Sequence, residues 1–205
     1  MKHHATPSLT LLTLTALLLS GCAATSAAAP APAPSSSQTQ SGPATGHHGG
    51  GTASAHKSVK DGPSAAALMV CGDQPKNALT SILDLDPAPD TDNTWANNTF
   101  TCTYHLNDGD LVVSVQEADD QAAALTYFNA MQALAEKATP ITGLASLGFP
   151  AYETADGSAV FQKDNFILHV NASALTATLG PDNITRNALA YQLSTTILEC
   201  WIKHP

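Results

Sequence analysis

Two histidines in strand-like segments, His105 and His169, have the side-chain type best suited to move a proton near neutral pH in this 205-residue chain. Nucleophilic catalysis would need a Ser or Cys beside one of them and an acid to orient the ring. The Gly-x-Ser-x-Gly elbow is absent, so an envelope hydrolase working through His105 or His169 stands as the alternative function rather than the first. Three further histidines, His47, His48 and His56, suggest metal scavenging. They sit in a segment with nothing to order it, and neither a cysteine nor a carboxylate completes the set. Asp84, Asp86, Asp90 and Asp92 lack the glycine and closing glutamate of a calcium loop and read as solvated acid. No C-x-x-C pair suggests zinc, and no Gly-Lys-Ser/Thr follows Gly143 or Gly148 to cradle a phosphate. No catalytic residue, metal or cofactor is therefore assigned.

The other reactive residues are Cys22, Cys71, Cys102 and Cys200. Cys22 ends a distinctive start: Lys2, an apolar run from Leu9 to Leu19, then Leu19-Ser20-Gly21-Cys22. The run is the length of a signal-peptide core and well short of the ~20 residues a spanning helix needs. The four residues resemble the lipobox of bacterial lipoproteins, which implies cleavage after residue 21 and lipidation of Cys22. Two or more acyl chains anchor a protein stably. The chain would then sit on the outer face of the cell membrane, a palmitate-bearing lipoprotein held through Cys22. With Cys22 used for lipid, three cysteines remain, and outside the cytoplasm thiols tend to pair. One disulfide and one buried or reactive cysteine are expected.

The composition narrows the partners. With 8 Lys+Arg against 17 Asp+Glu, a formal net charge of −9, the chain lacks the basic surface that nucleic acid requires. From residue 22 to 63 the sequence is mostly Ala, Pro, Ser, Gly, Thr and Gln, and reads as a disordered linker. Residues 64–205 remain for a single domain.

That domain must position whatever chemistry exists. Asp73 and Pro75 open a helix that buries Leu79, Ile82 and Leu83. An acidic, proline-containing loop spans Asp84 to Asn98. Strict alternation from Thr99 to Leu106 gives a half-buried strand, and Leu111 to Ala118 returns antiparallel across an Asp108-Gly109 turn. With that turn, Leu106 faces Leu111, Tyr104 faces Val113 and Cys102 faces Val115, leaving Thr101, Thr103, His105, Val112 and Ser114 on the wet side. A helix follows from Asp119 or Asp120, with Leu125, Phe128, Met131 and Leu134 on its apolar face. Three strands come next, Tyr152 to Ala155, Ala159 to Lys163 and Phe166 to Val170, joined at Asp156-Gly157 and Asp164-Asn165. The last turn sets His169 opposite Val160. A final helix from Pro181-Asp182 carries Leu189, Leu193, Ile197 and Cys200 in one stripe, beside Trp201. The reading is α+β: an antiparallel sheet of about five strands with helices packed on one face, in the order α-β-β-α-β-β-β-α.

Cys71-Gly72-Asp73 opening a helix, Phe100-Thr101-Cys102-Thr103-Tyr104 in a strand, and Gly143-Leu144 leading to Ala151-Tyr152 together resemble a known group. The chain is similar, over Val70 to Trp201, to small actinobacterial cell-envelope lipoproteins of unknown function, the LpqN-like kinds. The resemblance implies a Mog1/PsbP-like sandwich of sheet and helices on a lipid tether. It also implies a disulfide between Cys71 and Cys102, which the placement of Cys102 on the helix-covered face of the hairpin allows. Pairing of either with Cys200 is the rival, and the group brings no catalytic residues.

Trp95, in a polar loop, is the candidate recognition surface, since exposed aromatics supply much of the binding energy at interfaces. The first choice of function is a membrane-anchored envelope lipoprotein whose non-catalytic domain binds another envelope protein or a small ligand.

Overall fold

Alternating apolar residues drive the sheet. In the computed structural model, which describes residues 62–203, Phe100, Cys102 and Tyr104 on β2 (Thr99–Leu106) and Leu111, Val113 and Val115 on β3 (Gly109–Glu117) are all buried on one face. Cys22, the linker and its histidines lie outside the described residues. The connection between these strands differs from expectation by two residues. Asn107 and Asp108 form the turn, Gly109 at φ +124° pairs with Leu106, and Tyr104 lies opposite Leu111, Cys102 opposite Val113. An even shift preserves which side chains point inward, so the face assignment survives the change of register. Gly109 is confined to glycine by contact as well as by φ, because a Cβ there would lie 2.6 Å from the Ala174 carbonyl oxygen.

The sheet has seven strands rather than five, in the order β1-β2-β3-β7-β6-β5-β4. The two additions are edges. Strand β1 (Asp90–Ala96) occupies much of the segment expected as a loop, and β4 (Thr139–Pro140) is two residues long. Strand β1 is polar on both faces until Trp95, so it carries no alternation of hydrophobicity to recognise. Its register comes from Asn97 and Asn98, both at positive φ (52° and 58°), the backbone that a type I′ hairpin requires. The remaining strands are β5 (Ala151–Glu153), β6 (Ser158–Lys163) and β7 (Phe166–Asn171), while β8 (Thr178–Leu179) and β9 (Ile184–Thr185) make a separate small hairpin. Val160 pairs with His169, as the Asp164-Asn165 turn predicts.

Helices cover both faces of the sheet, not one. On the first face, α1 (Ala65–Leu68), α2 (Asp73–Leu83) and α4 (Arg186–Lys203) enclose the main core with Leu79, Leu83, Leu189, Leu193, Ile197 and Trp201. The final helix begins at Arg186, later than Pro181-Asp182, because the β8–β9 hairpin takes up the intervening residues. The Trp201 indole N–H donates to the Ala66 carbonyl at 3.0 Å, and the Tyr104 hydroxyl donates to the Val70 carbonyl. Between them they tie both ends of the chain segment before α2 to the core. Cys71 ends that segment, in a 3-10 turn from Met69, at disulfide distance from Cys102 with Cα atoms 5.5 Å apart. Cys200 is buried on α4, its thiol donating to Gln74 Oε1.

On the second face, α3 (Gln121–Leu134) lies across β5, β6 and β7. Its N-cap is Asp120, whose carboxylate accepts from the Ala123 N–H at 2.8 Å. Ala124 and Phe128 pack on Tyr152, Val160 and Ile167 in a second, smaller core, with Met131 and Ala135 at its margin. The expected stripe is corrected here: Leu125 and Leu134 point outward, Leu134 with 85% of its surface exposed. Ala124, Phe128, Met131 and Ala135 follow the helical period of 3.6, whereas the leucines at steps of three drift around the axis.

Candidate functional site

The helix α3 is too short to cover the whole second face. Past its end, where β6 begins and β7 finishes, a cleft of about 690 Å³ remains, open to solvent and within the size range of small-molecule sites. Its accessible apolar surface comes from Met131 and Leu134 on α3, with the buried side chains of Tyr152 on β5 and Val160 on β6 behind it. Its polar groups converge from three directions: Ser158, His169 and Asn171 from the sheet, Thr154 and Asp156 from the β5–β6 turn, and Arg186 from the first position of α4. Glu136 and Lys137, just beyond α3, are exposed at the rim.

Strand pairing explains the convergence. Ser158 lies opposite Asn171 and Val160 opposite His169, so all four project from the same face next to one another. The β5–β6 turn is fixed by the Thr154 hydroxyl, which donates to the Asp156 carboxylate and accepts from the Ser158 N–H at 3.2 Å. At that turn, Gly157 has φ +103°, and a Cβ there would fall 2.6 Å from Arg186 Cγ. The absence of a side chain lets the stem of Arg186 cross the turn.

His169 is half-buried, and desolvation pulls its pKa below the ordinary imidazole range, with the Asp156 carboxylate opposing the shift. No hydrogen bond joins its ring to another described residue, and among the described residues no fully buried side-chain polar atom is left without a partner. Its ring nitrogens are therefore not sealed from solvent, and the residue lines the cleft. Ser158, His169 and Asp156 line one cavity, but no hydrogen bond links the ring to either oxygen, so the relay of a nucleophilic triad is not assembled.

The other strand histidine has a different setting. His105 is exposed on the uncovered half of the second face, with Nε2 3.0 Å from Asp92 Oδ2 and Nδ1 2.9 Å from Asp110 Oδ1. Its hydrogen bonds to the Asp110 carboxylate and then to that of Asp92 raise its pKa. The two histidines, expected on one outer face, share that face but not a site. Among the described residues no cluster of His, Cys, Asp and Glu is arranged to hold a metal ion. Trp95 is not in a loop: it sits on the core-facing side of β1, opposite Phe100, partly buried against the main core. The loop that favoured it as a recognition surface does not exist.

The sequence reading passes over Arg186 as a site residue, although a signal is available, because Arg186 is the single arginine of the chain. No family model, curated protein or solved structure matches the chain. Among the described residues no helix is long and apolar enough to cross a membrane.

Proposed function

We propose that the folded domain is a binding module that takes a small amphipathic molecule in the cleft at the end of α3, and that Cys22 anchors it by lipid to the outer face of the cell membrane. One observation carries the first part: a half-buried histidine that makes no hydrogen bond among the described residues lines a cleft that combines apolar surface with converging polar groups. A small-molecule site combines these features, since apolar contact supplies affinity and a few placed polar groups supply orientation. The anchor rests on Leu19-Ser20-Gly21-Cys22 after the apolar leader, and the envelope class on the short motifs from Cys71 to Tyr152.

Native mass spectrometry of the protein purified from its own envelope tests the ligand. A 1:1 small-molecule adduct that disappears on extraction with organic solvent is the expected result. A protein without an adduct that captures another envelope protein through the uncovered face of β1 to β3 would overturn it. The hydrolase reading keeps one supporting observation, His169 in the cleft with Ser158 on the adjacent strand pair. Turnover of a short-chain ester, abolished in Ser158→Ala, would favour that reading instead.

A further inference from the structure

The chain's single arginine decides what kind of ligand this cleft selects, an inference that rests on the cleft-binding reading above. Arg186 is anchored before any ligand arrives. Its stem crosses Gly157, and its Nη1 donates to the carbonyls of Ser173 at 3.3 Å and Leu175 at 3.2 Å. Those two bonds use one nitrogen. Nε and Nη2 make no hydrogen bond among the described residues, and no carboxylate of a described residue lies within ion-pair distance of the guanidinium. In a chain with 17 Asp+Glu against 8 Lys+Arg, a half-buried arginine without an acidic partner is unexpected on charge alone.

The Nε and Nη2 edge of a guanidinium matches the two oxygens of a carboxylate, and a fixed arginine loses little freedom in forming that pair. The other charges of the cleft do not settle its preference. Glu136, Lys137 and Asp156 are exposed at the rim, where solvent and salt screen them, and the Asp156 carboxylate already accepts from Thr154. Arg186 is the charge set furthest from water. In the same cleft lie the neutral donors and acceptors of Ser158, Asn171 and His169, and the apolar surface of Met131 and Leu134.

We propose that the cleft binds an acyl carboxylate, its headgroup on the Nε and Nη2 edge of Arg186 and its hydrocarbon body over Met131 and Leu134 at the end of α3. Isothermal titration of the full chain carrying Cys22→Ala, with decanoate, decanol and decyltrimethylammonium as probes, tests this. Decanoate should bind roughly 10- to 100-fold tighter than decanol, the range of a charged hydrogen bond, and the cation should bind weakest. In Arg186→Gln the ratio of decanoate to decanol affinity should collapse towards one. Decanol matching decanoate in the parent chain, or a ratio unchanged in Arg186→Gln, would overturn the proposal. Arg186→Lys covers the case in which the glutamine variant does not fold: it keeps the charge and loses the fork, so the ratio should fall severalfold, and an unchanged ratio would again overturn the proposal. Failure of all three probes to bind would remove the cleft reading itself.

Discussion

His105 and His169 are the same residue type on the same face of one sheet, and their surroundings move their proton affinities in opposite directions. Carboxylates at both ring nitrogens hold His105 in its charged form to higher pH than in the unfolded chain. The stabilisation from that pairing is present below the unfolded value of about 6.5 and is lost as pH rises through the higher folded value. Burial does the reverse to His169, whose charged form is disfavoured. Its folded state is undisturbed above the unfolded value and loses stability as pH falls towards the lowered folded value. Proton NMR titration of the two C2 resonances should place His105 above the ordinary imidazole pKa and His169 below it. The opposite order would contradict the positions described for both rings. In the same account His105→Ala leaves cleft binding unaltered, because its ring lies outside the cleft and contacts Asp92 and Asp110 instead.

Among the elements, periodicity was a good guide where one face is buried and a poor one elsewhere. Strands β2, β3, β6 and β7 alternate or run apolar and are legible as elements; the β6–β7 turn and the pairing of His169 with Val160 follow from the sequence too, whereas the β2–β3 register lies two residues from the one that Asp108-Gly109 suggests. Strand β1 was not legible, since an edge strand of Asp, Thr and Asn with one apolar ring, Trp95, on its inner face shows no alternation to mark it, and only the Asn97-Asn98 pair betrays the hairpin. The second face of the sheet was missed for a related reason. The residues of α3 buried against it are Ala124 and Phe128, a small residue and a single ring, while Leu125 and Leu134 are exposed. Without that layer the cleft beyond its end could not be foreseen. The link between Cys71 and Cys102 belongs to this scale too, because it joins the chain before α2 to β2 across a sequence separation of 31. A closed loop of that length is worth roughly 3–4 kcal/mol in the chain-entropy model. Replacing both cysteines by Ala should lower the unfolding free energy by about that amount in denaturant titration. A double variant as stable as the parent would mean that the pair contributes nothing to the fold.

At the scale of the whole molecule, the proposed ligand site and the proposed lipid anchor at Cys22 bear on one another. A module that takes an amphipathic carboxylate gains by standing near the membrane where such molecules partition, and the Leu19-Ser20-Gly21-Cys22 start would keep it there. Cys22→Ala should move the protein from the membrane fraction to the soluble fraction on ultracentrifugation, and a variant that sediments like the parent would point to another anchor. The central claim is that the space beyond α3 is a ligand site. Two-dimensional amide NMR of the full chain carrying Cys22→Ala, titrated with decanoate, tests it most directly. The account predicts saturable shifts concentrated at Tyr152, Ser158, Val160, His169 and Asn171. Shifts centred on Thr101, Thr103 and Ser114, on the uncovered half of the same face, or no saturable shifts at all, would contradict it.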